Sequence, residues 1–172
     1  VQSPPAIDAF RATMAPLHRR AWTVQADVES LEHLRELNRT SALIFLPSHR
    51  SYSDPLVLAD VLDANDFPRN HVLGGANMAF WPIGPLGKRA GLIFIRRSFG
   101  DDQVYKLAVR EYFGHLVAKR FNLEWYIERG RSRTGKLRPP RYGLLHYLVR
   151  ALQEGDGDAV TLFPCPRTYE QL

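Results

Sequence analysis

The sequence predicts an α/β fold: a mixed, largely parallel sheet flanked by helices. Short apolar runs alternate along the chain with amphipathic segments, and helix-start signals (Asp54 before Pro55, the pair Asp101 and Asp102) fall between the runs. Composition is the third observation. With 172 residues, 45% of them hydrophobic and 24% charged, the chain is long enough for one domain with a core. In such a sheet the loops that follow the strands gather along one edge, where ligands usually bind.

Val28, Leu31, Leu34 and Leu37 recur at helical spacing and predict a helix over 27–38. Residues 42–46 are an unbroken apolar run and predict a buried strand, followed by a loop over 47–54. Asp54 is a good N-cap and Pro55 a good first helical residue, so a helix is expected over 55–64. Short strands are expected at 71–73 and 91–95. Asp101 and Asp102 open a long helix to about Arg120, with acids at its positive end and bases at its other. A strand over 121–127, a helix over 142–153 and a strand over 159–163 complete the pattern. Residues 1–40 form an N-terminal helical segment in this reading, and 41–172 the core. The chain starts at Val1 without Met and stops at Leu172 directly after a strand-like segment, so it is expected to be a piece of something longer, truncated at its C-terminal end.

Twenty-three basic against 18 acidic residues give a net charge of +5, which suits an anionic substrate, an anionic lipid surface or nucleic acid without choosing among them. The single cysteine, Cys165, excludes an internal disulfide framework and a multi-cysteine zinc site. There is no secretory signal, and the longest apolar runs are too short to span a bilayer; any membrane association is expected to be peripheral.

Three loops are chemically unusual: His49-Arg-Ser-Tyr-Ser-Asp54, Arg96-Arg97, and the stretch after Ile127. The last contains G-x-x-x-x-G-K over 130–136, which invites a nucleotide-loop reading. That loop needs Ser or Thr next, to ligate magnesium, and a helix facing the phosphates. Leu137 follows instead, then Arg-Pro-Pro-Arg, and paired prolines cannot continue a helix. What remains is a cationic loop suited to an anion. His49 and Asp54 flank a turn between a strand and a helix. A carboxylate on one imidazole nitrogen fixes the tautomer and leaves the other nitrogen to take a proton from an alcohol. The competing reading makes Asp54 a helix cap and His49 a polar loop residue. Arg96 and Arg97 run straight on from an apolar strand, where burial of charge is costly unless an anion is expected; a solvated strand end is the alternative.

Four blocks in order, His49-Arg-Ser-Tyr-Ser-Asp54, Gly91-Leu-Ile-Phe-Ile-Arg-Arg97, Glu128-Arg-Gly-Arg-Ser-Arg133 and Thr161-Leu-Phe-Pro164, resemble those of glycerol-3-phosphate 1-O-acyltransferases of the membrane-associated bacterial type. The segments 75–85 and 104–112 resemble the same branch, and the likeness covers roughly Ser41 to the end. The resemblance implies transfer of a fatty acyl group from acyl-coenzyme A or acyl carrier protein to the 1-hydroxyl of sn-glycerol 3-phosphate, giving lysophosphatidic acid for phospholipid synthesis. It implies His49 as the base and Asp54 as its orienting partner. Arg96, with Arg97 beside it, would bind phosphate; Glu128, Gly130, Arg131, Ser132 and Arg133 would contact glycerol phosphate; Pro164 would belong to the acyl-donor region. No metal, no cofactor beyond the acyl donor and no covalent acyl-enzyme are expected. The expected location is the cytoplasmic face of the cell membrane, held peripherally to its anionic surface, with no nucleic-acid partner.

The sequence departs from that pattern in two places. Arg129 stands where the family usually has glycine, and is expected to obstruct the phosphate or shift the loop. Pro164-Cys-Pro-Arg167 brings a second proline and a charge where an apolar strand would continue, so an altered or frayed strand end is expected. Ser51, Ser53 and Ser132 lack nucleophile-elbow glycines. The other histidines show no paired metal spacing, and Cys165 between two prolines reads as incidental. The segment 80–85 reads either as a core turn or as an exposed lipid-interface element. Alternative functions are the same chemistry on dihydroxyacetone phosphate or lysophosphatidic acid, and a non-catalytic basic module that binds anionic lipid or nucleic acid.

Overall fold

The computed structural model describes residues 23–51, 53–81, 83–96, 98–128, 130–132, 134–154 and 159–168, together with residues 3, 5, 8, 9 and 12. Most of the expected N-terminal segment before position 23 therefore lies outside the described residues. In chain order the elements are α1 (Val28–Thr40), β1 (Ala42–Pro47), α2 (Asp54–Ala64), β2 (His71–Gly75), a short 3-10 turn (Ala76–Met78), α3 (Ile83–Arg89), β3 (Leu92–Ile95), α4 (Gln103–Ala118), β4 (Leu123–Glu124), α5 (Gly143–Glu154) and β5 (Val160–Cys165). The five strands form one sheet in the order β3-β2-β4-β1-β5, and every pairing is parallel.

The residues dictate both layers. In β1, Ile44 faces one core, with Leu123, Phe113, Leu116, Val117 and Leu148; its neighbours Leu43 and Phe45 face the other, with Leu34, Leu62 and Phe67. A period of two distributes consecutive apolar residues to opposite faces, which is why a strand covered on both sides reads as an unbroken apolar run. Helices α4 and α5 cover the first face. Val109, Phe113, Leu116 and Val117 are the buried residues of α4, one stripe of a 3.6-residue helix. Leu34 of α1 and Leu62 of α2 belong to the core on the second face.

Local signals set the element ends. Asp27 caps α1 and Asp102 caps α4, accepting from the main-chain N–H of Ser30 and Tyr105 respectively. Helix α4 stops at Ala118, before Arg120. Arg120 adopts a left-handed φ of 54°, the N–H of Phe121 turns back to the carbonyl of Leu116, and the Arg120 guanidinium donates to the exposed carbonyls of Asn38 and Arg39 at the end of α1. Two expectations need correcting. The strand expected over 121–127 is confined to Leu123–Glu124, although His71 N–H still donates to Asn122 O, and Trp125 N–H to Phe45 O. The expected pattern also lacked α3, which the chain enters from Ile83; just before it Trp81 is 83% exposed and Phe80 is exposed, in line with the second of the two readings of 80–85 at its start. No helix among the described residues is long and apolar enough to cross a membrane.

Because β4 lies between β1 and β2, the loop after β1 is flanked at the sheet's carboxyl edge by those after β4 and β5. The three segments from 48, 125 and 166 are therefore neighbours.

Candidate active site

The loop after β1 is built around one carboxylate. Asp54 is 0% exposed, and its Oδ2 accepts from the main-chain N–H of Arg50 at 2.7 Å, from that of Ser51 at 2.8 Å, and faces His49 Nδ1 at 3.2 Å. Ser53, not Asp54, occupies the N-cap position of α2, without a side-chain capping bond. Asp54 instead sits in the first helical turn with its carboxylate turned back into the loop. With its Nδ1–H directed to Asp54, a neutral His49 presents Nε2 as an acceptor, the arrangement a general base needs.

The loop after β4 is latched onto His49 through main-chain groups. Glu128 is buried; its Oε1 accepts from His49 N–H at 3.0 Å and its Oε2 from Arg138 N–H at 3.1 Å. The buried Ser132 returns a bond from its N–H to His49 O at 2.8 Å. Gly130 makes the turn between them with φ 86°, a conformation side chains resist, while its N–H bonds Glu128 O. Arg138 Nη1 donates to Arg131 O. Gly135 has φ 78°, and a Cβ there would stand 3.1 Å from Arg50 Nη1, so the Arg50 side chain reaches across to this loop. Segment 137–140 is not helical, and Pro140 pairs antiparallel with Glu128. No helix N-terminus follows Lys136, as the paired prolines imply.

Of the sequence-predicted residues, the structure thus brings together His49, Asp54, Glu128, Gly130, Arg131 and Ser132. Arg96 lies elsewhere on the same edge: β3 is three strands from β1, about 14 Å sideways at the usual strand spacing. Its side chain is 57% exposed, pairs with Asp102 at 2.8 Å and lies over the Tyr105 ring at 4.4 Å. The expected burial of charge at this strand end does not occur, because the acid that caps α4 supplies a partner in solvent. Pro164 is exposed on β5, opposite Leu46. Arg97 and Arg133 lie outside the described residues, as does Arg129, on which the expected obstruction depends.

The C-terminal departure is ordered. β5 pairs with β1 through Cys165, Ser48 N–H donates to Cys165 O, and Arg167 N–H donates to the Ser48 hydroxyl. Burial pushes the Cys165 thiol up to about 12, which leaves it inert near neutrality. Sequence reasoning missed what lies beneath His49. Its ring packs on Tyr126 at 4.2 Å; the Tyr126 hydroxyl bonds Glu124 Oε1, and Asn70 Nδ2 donates to Glu124 Oε2. An acid in the apolar run of 121–127 was the available signal.

Glu124 is 0% exposed, and burial raises it from 4.5 to about 7, against the bonds from Asn70 and Tyr126 and the charge of Arg167. Folding therefore keeps this carboxyl protonated where the unfolded chain has already ionised it. The stability that results is complete below pH 4.5 and is lost as pH rises to about 7. The expected loss is about 3 kcal/mol. Urea unfolding of the wild type and of Glu124→Gln across this window should show the slope in the first and its absence in the second.

Residues 25–166 match the acyltransferase family. The chain is 45% identical over 153 residues to a protein of Mycobacterium bovis named "Putative acyltransferase plsB1", and equally to proteins of that name from two strains of Mycobacterium tuberculosis. The matched region is 89% of this chain and 25% of each relative, so the chain spans about a quarter of the length of the curated relatives it matches. Residues 25–166 contain the histidine-aspartate loop, the Glu128 latch and β5: the chain belongs to the acyltransferase family.

Proposed function

We propose that this chain is the catalytic core of an enzyme that moves a fatty acyl group from acyl-coenzyme A or acyl carrier protein to the 1-hydroxyl of sn-glycerol 3-phosphate. The observation that carries the reading is the His49–Asp54 pair with the cationic 130–138 loop bound to the main chain of the histidine. Nε2 of His49 takes the hydroxyl proton as the oxygen attacks the thioester carbonyl. The tetrahedral intermediate then expels the thiolate, which takes the proton from the imidazolium to leave as thiol, so the base is restored. Arg131, with Arg133 from the resemblance, holds the phosphate by charge-assisted bonds.

The shortness of the acceptor favours glycerol 3-phosphate: a phosphate gripped beside the base leaves a three-carbon alcohol in reach of Nε2. Exposed Trp81 and Phe80 support a peripheral position at the cytoplasmic membrane surface, where Trp is favoured. The test is an acceptor panel with the full-length protein and acyl-coenzyme A. Glycerol 3-phosphate is expected to give lysophosphatidic acid with a kcat/KM at least about tenfold above dihydroxyacetone phosphate and lysophosphatidic acid. A reversed order removes the acceptor assignment, and silence with all three removes the reading.

A further inference from the structure

The charge that departs from the expected strand end after the fourth block makes direct contact with Asp54. Arg167 Nη1 donates to the Asp54 main-chain carbonyl and lies 3.6 Å from Asp54 Oδ1. Nη2 donates to the Tyr126 hydroxyl at 3.3 Å, and that hydroxyl bonds Glu124 Oε1 at 3.2 Å. Its main-chain N–H is fixed by the Ser48 hydroxyl, one residue before His49. Nε is buried with no hydrogen-bond partner among the described residues, so the fork is held by its two terminal nitrogens. The side chain is only 15% exposed, and both terminal nitrogens are engaged by Asp54 and Tyr126.

We infer that Arg167 is a positioning residue for the proposed transfer reaction: it fixes Asp54 from the side opposite His49 and Tyr126 under the imidazole, setting the orientation and charge of the base. This rests on the acyltransferase reading above. Asp54 divides its oxygens between two tasks. Oδ2 holds His49 and two main-chain N–H groups; Oδ1 faces the guanidinium. A cation on the far oxygen keeps a fully buried carboxylate compensated when the imidazole is neutral, and tempers the pull of Asp54 on the proton when it is charged. The imidazole is clamped between that carboxylate and the Tyr126 ring, whose hydroxyl the same guanidinium secures. The charged and titratable groups that contact His49 or its partners include Asp54 at the start of α2, Tyr126 and Glu128 after β4 with Glu124 behind them, and Arg167 after β5, while the cationic 130–138 loop is bound to the histidine's main chain. Arg167 is a cation in contact with both Asp54 and Tyr126.

The test uses the full-length protein with Arg167→Met, Arg167→Lys and Tyr126→Phe. In Arg167→Met, kcat should fall about tenfold with the acceptor KM within about twofold, and the acid limb of the kcat–pH profile should move up by about one pH unit, because removing a nearby cation favours the imidazolium. Asp54 keeps the N–H donors of Arg50 and Ser51, bonds that favour its charged form. Arg167→Lys keeps the charge but loses the fork: the acid limb should return to its wild-type place while kcat recovers only in part. Tyr126→Phe should lower kcat a few-fold. An Arg167→Met enzyme with wild-type kcat and limb overturns the inference, as does a rise in KM alone, which would make Arg167 an acceptor ligand. If the Met variant fails to fold, wild-type kcat in both Arg167→Lys and Tyr126→Phe overturns it. The rate of His49 carbethoxylation against pH, read by mass spectrometry, reports the same upward shift without substrate. A wild type that acylates no acceptor therefore sinks the proposed function, whereas an unmoved carbethoxylation profile in Arg167→Met sinks this inference.

Discussion

His49→Ala should lower kcat by about 10²–10⁴-fold, the contribution of a positioned general base, and leave the protein folded. The division between rate and stability follows from how the residue is wired. Its imidazole is 20% exposed and bonds Asp54 alone among the described residues, whereas the ties that hold the neighbouring loop run through its main chain: N–H to Glu128, carbonyl from Ser132. Alanine keeps both. The 128–132 loop should therefore stay latched, acceptor KM should change little, and denaturant unfolding should show a loss of no more than about 2 kcal/mol from lost ring packing on Tyr126. Initial rates with saturating acceptor, and an unfolding curve on the same preparation, separate the two effects. A variant that turns over at the wild-type rate removes His49 from the chemistry.

The histidine and aspartate were legible because they are five residues apart, close enough for one turn to bring them together, and because the strand before and helix after each carry strong local signals. The layers were legible for the same reason: the apolar run of β1, the stripe of α4 and the Asp102 cap each act within a few residues. What was not legible is long-range. Arg167 meets Asp54 across 113 positions, and only the pairing of β5 beside β1 makes them neighbours; from the sequence its charge looked like damage to a strand. Arg96 shows a different limit. A charge after an apolar strand read either as a buried anion site or as a solvated strand end, and Asp102, six residues on and already read as part of a helix-start signal, pairs with it in solvent. Glu124 was missed because a strand pattern counts apolar residues and passes over the polar one, although the centre of a covered sheet is where an acid costs most. The length of β4 was overread because apolar character continues through Ile127, while the ladder ends where the chain turns to place Tyr126 and Glu128 against the histidine loop.

Asp54→Ala should be the most damaging single change, because it strikes fold and chemistry at once. The carboxylate is 0% exposed and ties two segments to the start of α2: the 49–51 loop, through the imidazole of His49 and the N–H groups of Arg50 and Ser51, and the strand end after β5, through the guanidinium of Arg167. Its removal strands two part-buried main-chain donors and leaves a largely buried cation without its counter-charge, for which the expected cost is about 3–5 kcal/mol. Asp54→Asn separates the two roles. The amide oxygen can still accept from the Arg50 and Ser51 N–H groups, so much of the loop should survive. It no longer supplies the charge that orients and stabilises the imidazolium, and its NH₂ competes for the wrong tautomer, so kcat should still fall by about 10³–10⁴-fold. Three preparations measured side by side, by urea unfolding and by initial rate, give the ordering. The alanine variant should be low on both scales, and the asparagine variant low mainly in rate. If the asparagine variant keeps the wild-type rate, Asp54 serves the loop alone and the histidine works without an orienting carboxylate.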